Sequence, residues 1–350
     1  MVSQNTTRNE IAMIVDHSNL RRVILESATQ FREGSNAAAA VKAGGPFDML
    51  MLSGMGGSAL PGNLLRIYLH DRAAHAKGQQ RQLAIYQNRF YALPPEAFRR
   101  CLNIFCSHSG NTEETIAAFE EAIAHHLPCV GISSGGKIER MCAERGIPHV
   151  KLPIPYENFQ PRMATGHFLG AIVRVLENAG MITYCISSMD AVAAKLTEAI
   201  PRMEERGKAI AERLKGKTPV IYSSTRFKAL AMIWKIKINE NAKTPAFWNF
   251  FPELNHNELV GFTNPQGAFR ALMIRDPHDH PQNIKRYDVT AKLLSEKGIE
   301  TEVIDMEEGE TLYRMFATLA LGDWTSYYLA LSYGQDPTPV DMVEDLKKML

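Results

Sequence analysis

The chain has 350 residues, 45% of them hydrophobic and 22% charged, with a formal net charge of +1. A charge so near neutral argues against a nucleic-acid or membrane-surface binder, which needs a concentrated basic face, and no apolar run reaches the roughly 18 residues that span a bilayer. At about 150 residues per domain, the length predicts two domains. The opening MVSQNTTRNEIAM is polar and lacks the apolar core of a signal peptide. Cys101, Cys106, Cys129, Cys142 and Cys185 form no CxxC pair, and an odd count does not suit a disulfide framework. The cytoplasm is the expected location.

Residues 10–42 mix apolar and polar positions at helical spacing until KAGGP breaks them. FDMLML (47–52) is almost continuously apolar, as a strand buried on both faces of a parallel sheet must be. SGMGGSALPGNLL then reads as a glycine-rich turn opening a helix, and RQLAIYQ (81–87) as a second strand. CLNIFCS (101–107) is a third strand, followed by the helix TEETIAAFEEAIAHH; CVGISS (129–134) is a fourth, followed by KIERMCAERG and HVKLP. This alternation implies a parallel sheet covered by helices on both faces. The proline-punctuated PIPYENFQP (153–161) closes the series, and helical stretches follow at 163–178 and about 187–214. PVIYSS (219–224) starts a second series: the helix FKALAMIWKIKINENAK, the strand FRALMIRD (269–276), a helix at 283–297, the strand ETEVIDM (300–306) and a long helix from 311. The expected architecture is α/β, two doubly wound parallel-sheet domains in tandem at 10–180 and 187–350, without a visible direct repeat.

Two turns of the first series carry chemistry. SGMGGSAL places Gly56, Gly57 and Ser58 where a strand gives way to a helix; SHSGNTEET places Ser107, Ser109 and Thr112 at the next such junction. A helix N-terminus presents unpaired amides and the positive end of the dipole to an anion. Glycines let the backbone approach closely, and short hydroxyls donate without adding charge. Neither turn has the Gly-Lys-Ser/Thr ending of a Walker loop. Capping by Asn111 or Thr112, with Glu113 and Glu114 favoured by the dipole, is the competing explanation. Two such turns at successive strand ends favour a ligand.

In KINENAKTPAFWNFFPELNHNEL, Glu240 near a helix end and His256 in an Asn-flanked turn are a carboxylate–imidazole pair of the kind that moves protons beside a carbonyl. A solvated helix face and a surface turn are the alternatives. Arg162 precedes a helix and could equally form a salt bridge between domains; His278 and His280 lack a third ligand for a metal and read as a polar loop. Lys347 and Lys348 suit the solvated end of a terminal helix.

GMGGS followed by SHSGNTEET resembles the sugar isomerase (SIS) domain, a doubly wound module that binds phosphosugars. ENAKTPAF with PELNHNEL resembles, more specifically, the bifunctional phosphoglucose/phosphomannose isomerases, built from two tandem SIS domains, over essentially the whole chain. The resemblance implies that Ser58, Ser107, Ser109 and Thr112 hold a 6-phosphate, with amides of Gly56 and Gly57 close to the sugar. It implies Glu240 as the base shuttling a proton between C2 and C1, and Arg162 facing the developing enediolate. His256 would assist ring opening from the other subunit of a homodimer, and a terminal-helix lysine, Lys347 or its neighbour Lys348, would complete the site. One departure is His108, which falls where the family commonly carries a small or apolar residue and would crowd the site or charge it if it pointed inward.

Such an isomerase interconverts glucose 6-phosphate or mannose 6-phosphate with fructose 6-phosphate. The enediolate needs a fixed cation, which a guanidinium supplies at any working pH, and a base kept basic by partial burial. No cofactor, metal or nicotinamide is required. A planar enediolate loses the C2 configuration, so action on both epimers is chemically reasonable, with Thr338 a candidate for influencing the choice. Two alternatives are another tandem-SIS enzyme, such as the isomerase half of glucosamine-6-phosphate synthase, and a non-catalytic phosphosugar-binding regulator. Neither a leading catalytic cysteine nor a basic recognition helix is present to favour them.

Overall fold

A computed structural model describes residues 15–75, 83–183 and 185–350. The chain falls into two compact units, Glu26–Thr197 and Glu198–Leu350, the latter including the stretch up to Leu25. The first unit is built on five parallel strands, β1 (Met49–Gly54), β2 (Ala84–Asn88), β3 (Cys101–Cys106), β4 (Cys129–Ser133) and β5 (His149–Lys151), in the order β2-β1-β3-β4-β5. β3 is buried at every position, which is why its sequence is apolar rather than alternating except at Asn103, whose amide nitrogen donates to the Ala97 carbonyl at 3.1 Å. Met51 lies opposite Asn103, and Ile104 opposite Val130. Phe105 stacks on Phe119 at 4.7 Å in the core beside the sheet.

α1 (Leu20–Glu26) lies in the stretch that belongs to the other unit and ends where this one begins; the helices of this unit are α2 (Gln30–Ala37), α3 (Gly56–His75), α4 (Glu113–Ala124), α5 (Gly136–Arg145), α6 (Thr165–Asn178) and α7 (Cys185–Arg202, where the chain leaves it). Buried Gln30 joins α2 to the start of α6: its amide nitrogen donates to the Met163 carbonyl at 2.8 Å, and its oxygen accepts from the Gly166 amide at 3.1 Å. That pair of bonds fixes the short 3-10 turn Pro161–Met163 that carries Arg162.

The second unit repeats the topology with four parallel strands, β6 (Thr218–Ser224), β7 (Phe247–Phe251), β8 (Phe269–Arg275) and β9 (Glu300–Asp305), in the order β7-β6-β8-β9. Its helices are α8 (Glu204–Leu214), α9 (Lys228–Ala242), α10 (Pro281–Glu296), α11 (Thr311–Ser332) and α12 (Asp341–Met349). α11 is largely buried and is held by polar anchors: Lys237 on α9 pairs with Asp323 at 2.6 Å, and the Asn241 amide donates to Ser326 at 2.9 Å. Arg21 binds Glu204 through two bonds of 2.7 Å, and this ties the stretch before Leu25 to this unit. Among the described residues no helix is long and apolar enough to cross a membrane.

Several sequence-based boundaries shift. Residues 187–214 form two helices, because Pro201 has no amide to extend the ladder and α7 ends one residue later. The 10–42 stretch becomes α1, a 3-10 turn at Ser27–Thr29 and α2, with residues 10–14 outside the described ones. The 81–87 strand is β2, with 81–82 likewise outside. The long helix from 311 stops at Ser332, and α12 is separate. β7 has no counterpart in the sequence reading. It is an edge strand with Phe247 56% exposed, so it shows neither continuous burial nor clean alternation. The aromatic run FWNFF was its one available signal.

Candidate active site

The glycine turn follows β1 directly. Gly56 has φ +47°, a left-handed conformation that glycine adopts without steric cost. A Cβ on Gly57 would lie 2.5 Å from the Arg162 nitrogen and 2.6 Å from the Pro161 carbonyl carbon, so only glycine lets the Arg162 segment pack against this turn. The Ser58 hydroxyl accepts from the His108 amide at 3.0 Å. The structure thus brings the glycine turn, the hydroxyl turn and Arg162 together at the ends of β1 and β3. Arg162 is buried, at 1% exposure, with Nη1 donating to the Gln160 amide oxygen at 3.3 Å.

In the hydroxyl turn, Ser107 Oγ and Thr112 Oγ1 share a hydrogen bond of 2.7 Å, and the Asn111 amide donates to Ser109 Oγ at 3.2 Å. Thr112 occupies the N-cap position of α4 with extended backbone, yet its side chain makes no cap bond. Asn111 does not cap α4 either: its oxygen accepts from the Lys137 amide in the first turn of α5, at 3.0 Å. Simple capping therefore does not explain this turn. Gly110, at φ +68°, permits a close approach, since a Cβ there would fall 1.8 Å from the Gly135 oxygen. Ser107 is fully buried, Thr112 is half-buried and Ser109 is exposed.

His108 does not charge the turn. Its ring is 7% exposed and packs beside Phe159 at 5.6 Å. Burial, reinforced by neighbouring His167, pushes its pKa down to about 4, so the imidazole is neutral at pH 7. His167 Nε2 bonds Glu33 at 2.7 Å.

Glu240, His256 and Lys347 lie in the second unit on three separate elements. Glu240 is half-buried in the last turn of α9. His256 is exposed at the end of the 3-10 turn Glu253–His256. Lys347 and Lys348 are exposed on α12, bonded to Glu344 at 2.6 Å and Asp345 at 2.9 Å. Thr338 is buried, its amide donating to Asp336 at 2.9 Å. The two loop histidines have structural partners: His280 Nδ1 accepts from the Gln282 amide and caps α10, and His278 Nε2 bonds Glu308 at 2.9 Å.

Residues 203–350 match the family described as the bacterial phospho-glucose isomerase C-terminal SIS domain. A bifunctional phosphoglucose/phosphomannose isomerase of Caldicellulosiruptor bescii is 34% identical over 91% of this chain and 93% of its own length. The chain belongs to the bifunctional phosphoglucose/phosphomannose isomerase family. The Aquifex aeolicus protein of the same name is also 34% identical, over 87% of this chain and 91% of its own. A hypothetical protein from Thermus thermophilus superposes with a TM-score of 0.71 at 14% identity, covering 99% of this chain and 93% of that one, and speaks to the fold alone.

As a member of this family, the chain carries two SIS sheets whose strand ends differ in chemistry. The order β7-β6-β8-β9 repeats β2-β1-β3-β4, so the ends of β6 and β8 correspond to those of β1 and β3, where the glycine and hydroxyl turns stand. There the second unit holds a buried carboxylate of its own: Asp276 pairs with buried Arg314 and, at 3.4 Å, with Arg226. The sequence reading missed this cluster. The acid directly after the apolar run FRALMIR was a visible signal, but its two arginines are far away in sequence.

Proposed function

We propose that the chain interconverts glucose 6-phosphate and mannose 6-phosphate with fructose 6-phosphate, by proton transfer between C2 and C1 through an enediolate. The observation that carries the reading is the hydroxyl turn, where Thr112 stands at a helix N-terminus without capping it. The first amides of α4 and the hydroxyls of Ser107, Ser109 and Thr112 then suit the phosphate of a phosphosugar. The likeness to two proteins bearing the isomerase name, over almost their whole length, supports the chemistry.

In this reading Ser58 joins the phosphate group of residues, and the amides of Gly56 and Gly57 lie beside the sugar. The phosphate does no chemistry; its binding energy holds C1 and C2 in place for the base. Arg162 offsets the enediolate charge. Glu240 carries the proton. His256 of the partner subunit in a homodimer assists ring opening, Lys347 completes the site, and the protein works in the cytoplasm.

The test is to supply fructose 6-phosphate to the purified protein without added metal and follow the two aldose products separately. Both products are expected; absence of either removes that half of the proposal. Glu240→Gln should keep sugar-phosphate binding and lower kcat by roughly 100-fold to 10,000-fold, the range of general-base effects. Wild-type turnover in that variant would take Glu240 out of the mechanism.

A further inference from the structure

The turn that carries His256 is clamped on both sides. Leu254, two residues before it, is 1% exposed and belongs to the core built around Tyr222, Phe251 and Tyr287. Asn255, immediately before it, reaches α10: its nitrogen donates to Thr290 Oγ1 at 2.8 Å and its oxygen accepts from Arg286 at 3.2 Å. Glu258, two residues after it, reaches the sheet. One carboxylate oxygen accepts from the Tyr222 hydroxyl on β6 at 2.5 Å, and the other from the Asn249 amide on β7 at 2.5 Å. The Glu258 amide also donates to Asn257 Oδ1 at 2.6 Å, capping the next 3-10 turn.

Short 3-10 turns have poor hydrogen-bond geometry and do not hold an exposed side chain in place by themselves. An ionised acid drawn onto the sheet is also a weak way to gain stability, because apolar residues of the same volume would serve as well or better. What a doubly bonded carboxylate provides is direction: two donors on two adjacent strands fix it, and the backbone that bears His256 is fixed with it. Burial and the Glu258 charge push the Tyr222 hydroxyl pKa upward, so it stays protonated and remains a donor.

We propose that Glu258, held by Tyr222 and Asn249 and assisted by Asn255, is the positioning residue for His256, setting the imidazole where the sugar ring opens. This rests on the reading of His256 as the ring-opening group. Ring opening has its own observable. Exchange between the α and β anomers of glucose 6-phosphate requires the ring to open and close, yet needs no proton transfer at C2. Two-dimensional exchange NMR reads it separately from isomerisation.

Tyr222→Phe preserves the packing and removes one donor, while Glu258→Gln leaves one acceptor for two donors. Misplacing a reacting group by about 1 Å costs up to roughly 100-fold. Both variants should therefore lose about tenfold or more in catalysed anomer exchange and in kcat, with KM for fructose 6-phosphate within about threefold of wild type. Glu240→Gln should keep the anomer exchange while losing isomerisation. Wild-type anomer exchange in both clamp variants overturns the proposal, as does a loss of isomerisation with anomer exchange intact. His256→Ala distinguishes a failure of the underlying reading: if it too exchanges anomers at the wild-type rate, His256 does not open the ring and the clamp has nothing to position.

Discussion

Replacing His108 by alanine tests the statement that a buried, neutral imidazole sits inside the hydroxyl turn. In the folded protein it titrates at about 4, against 6.5 in its ordinary environment. Between those values the unfolded chain binds the proton and the folded chain does not, so stability falls as pH drops through this window. The whole interval is worth about 3 kcal/mol, fully lost only below about pH 4. From pH 7 to pH 5 the loss through this one group is about 2 kcal/mol. Urea unfolding of wild type and His108→Ala at both pH values isolates it, since the cavity left by the ring lowers stability about equally at each pH and cancels in the difference. The variant should lose about 2 kcal/mol less than wild type on going from pH 7 to pH 5. Equal losses in the two proteins would refute the reasoning: His108 would then titrate alike folded and unfolded, and a cation would be present in the turn at mildly acidic pH.

Three further outcomes are expected. Gly57→Ala puts a Cβ against the backbone of Pro161 and Arg162, so steady-state kinetics should show kcat reduced by about tenfold or more, and an unchanged kcat would contradict the close approach. Thr112→Val removes a hydroxyl proposed to donate to phosphate, worth about 1.5–3 kcal/mol, and should raise KM for fructose 6-phosphate by roughly 10-fold to 100-fold. Asp323→Ala leaves the buried Lys237 ammonium without its carboxylate and should cost about 3–5 kcal/mol in denaturant unfolding; a loss below about 1 kcal/mol would show that water reaches the pair.

The sequence by itself determined the α/β class and most strands, because strands buried on both faces are almost continuously apolar, as MLML is and CLNIFC is but for Asn103. It also drew attention to the two turns, where glycine and short hydroxyls gather at strand ends, whereas Glu240 and His256 stood out through the family resemblance, since alone each suits a solvated helix face or a surface turn. The edge strand β7, by contrast, takes its identity from pairing with β6, and an exposed aromatic run does not declare a partner. Which residue caps which helix was also a tertiary outcome: Asn111 serves α5 and Thr112 turns to Ser107, because the β3 and β4 turns pack on each other through Gly110 and Gly135. The charge state of His108 depends on burial beside Phe159 and His167, residues distant in sequence. The Asp276–Arg314 pair and the Glu258 clamp likewise join side chains across 38 and 36 positions. Local pattern fixes elements and turns; it does not encode which distant donor meets which acceptor, and that is what only the packed structure decided.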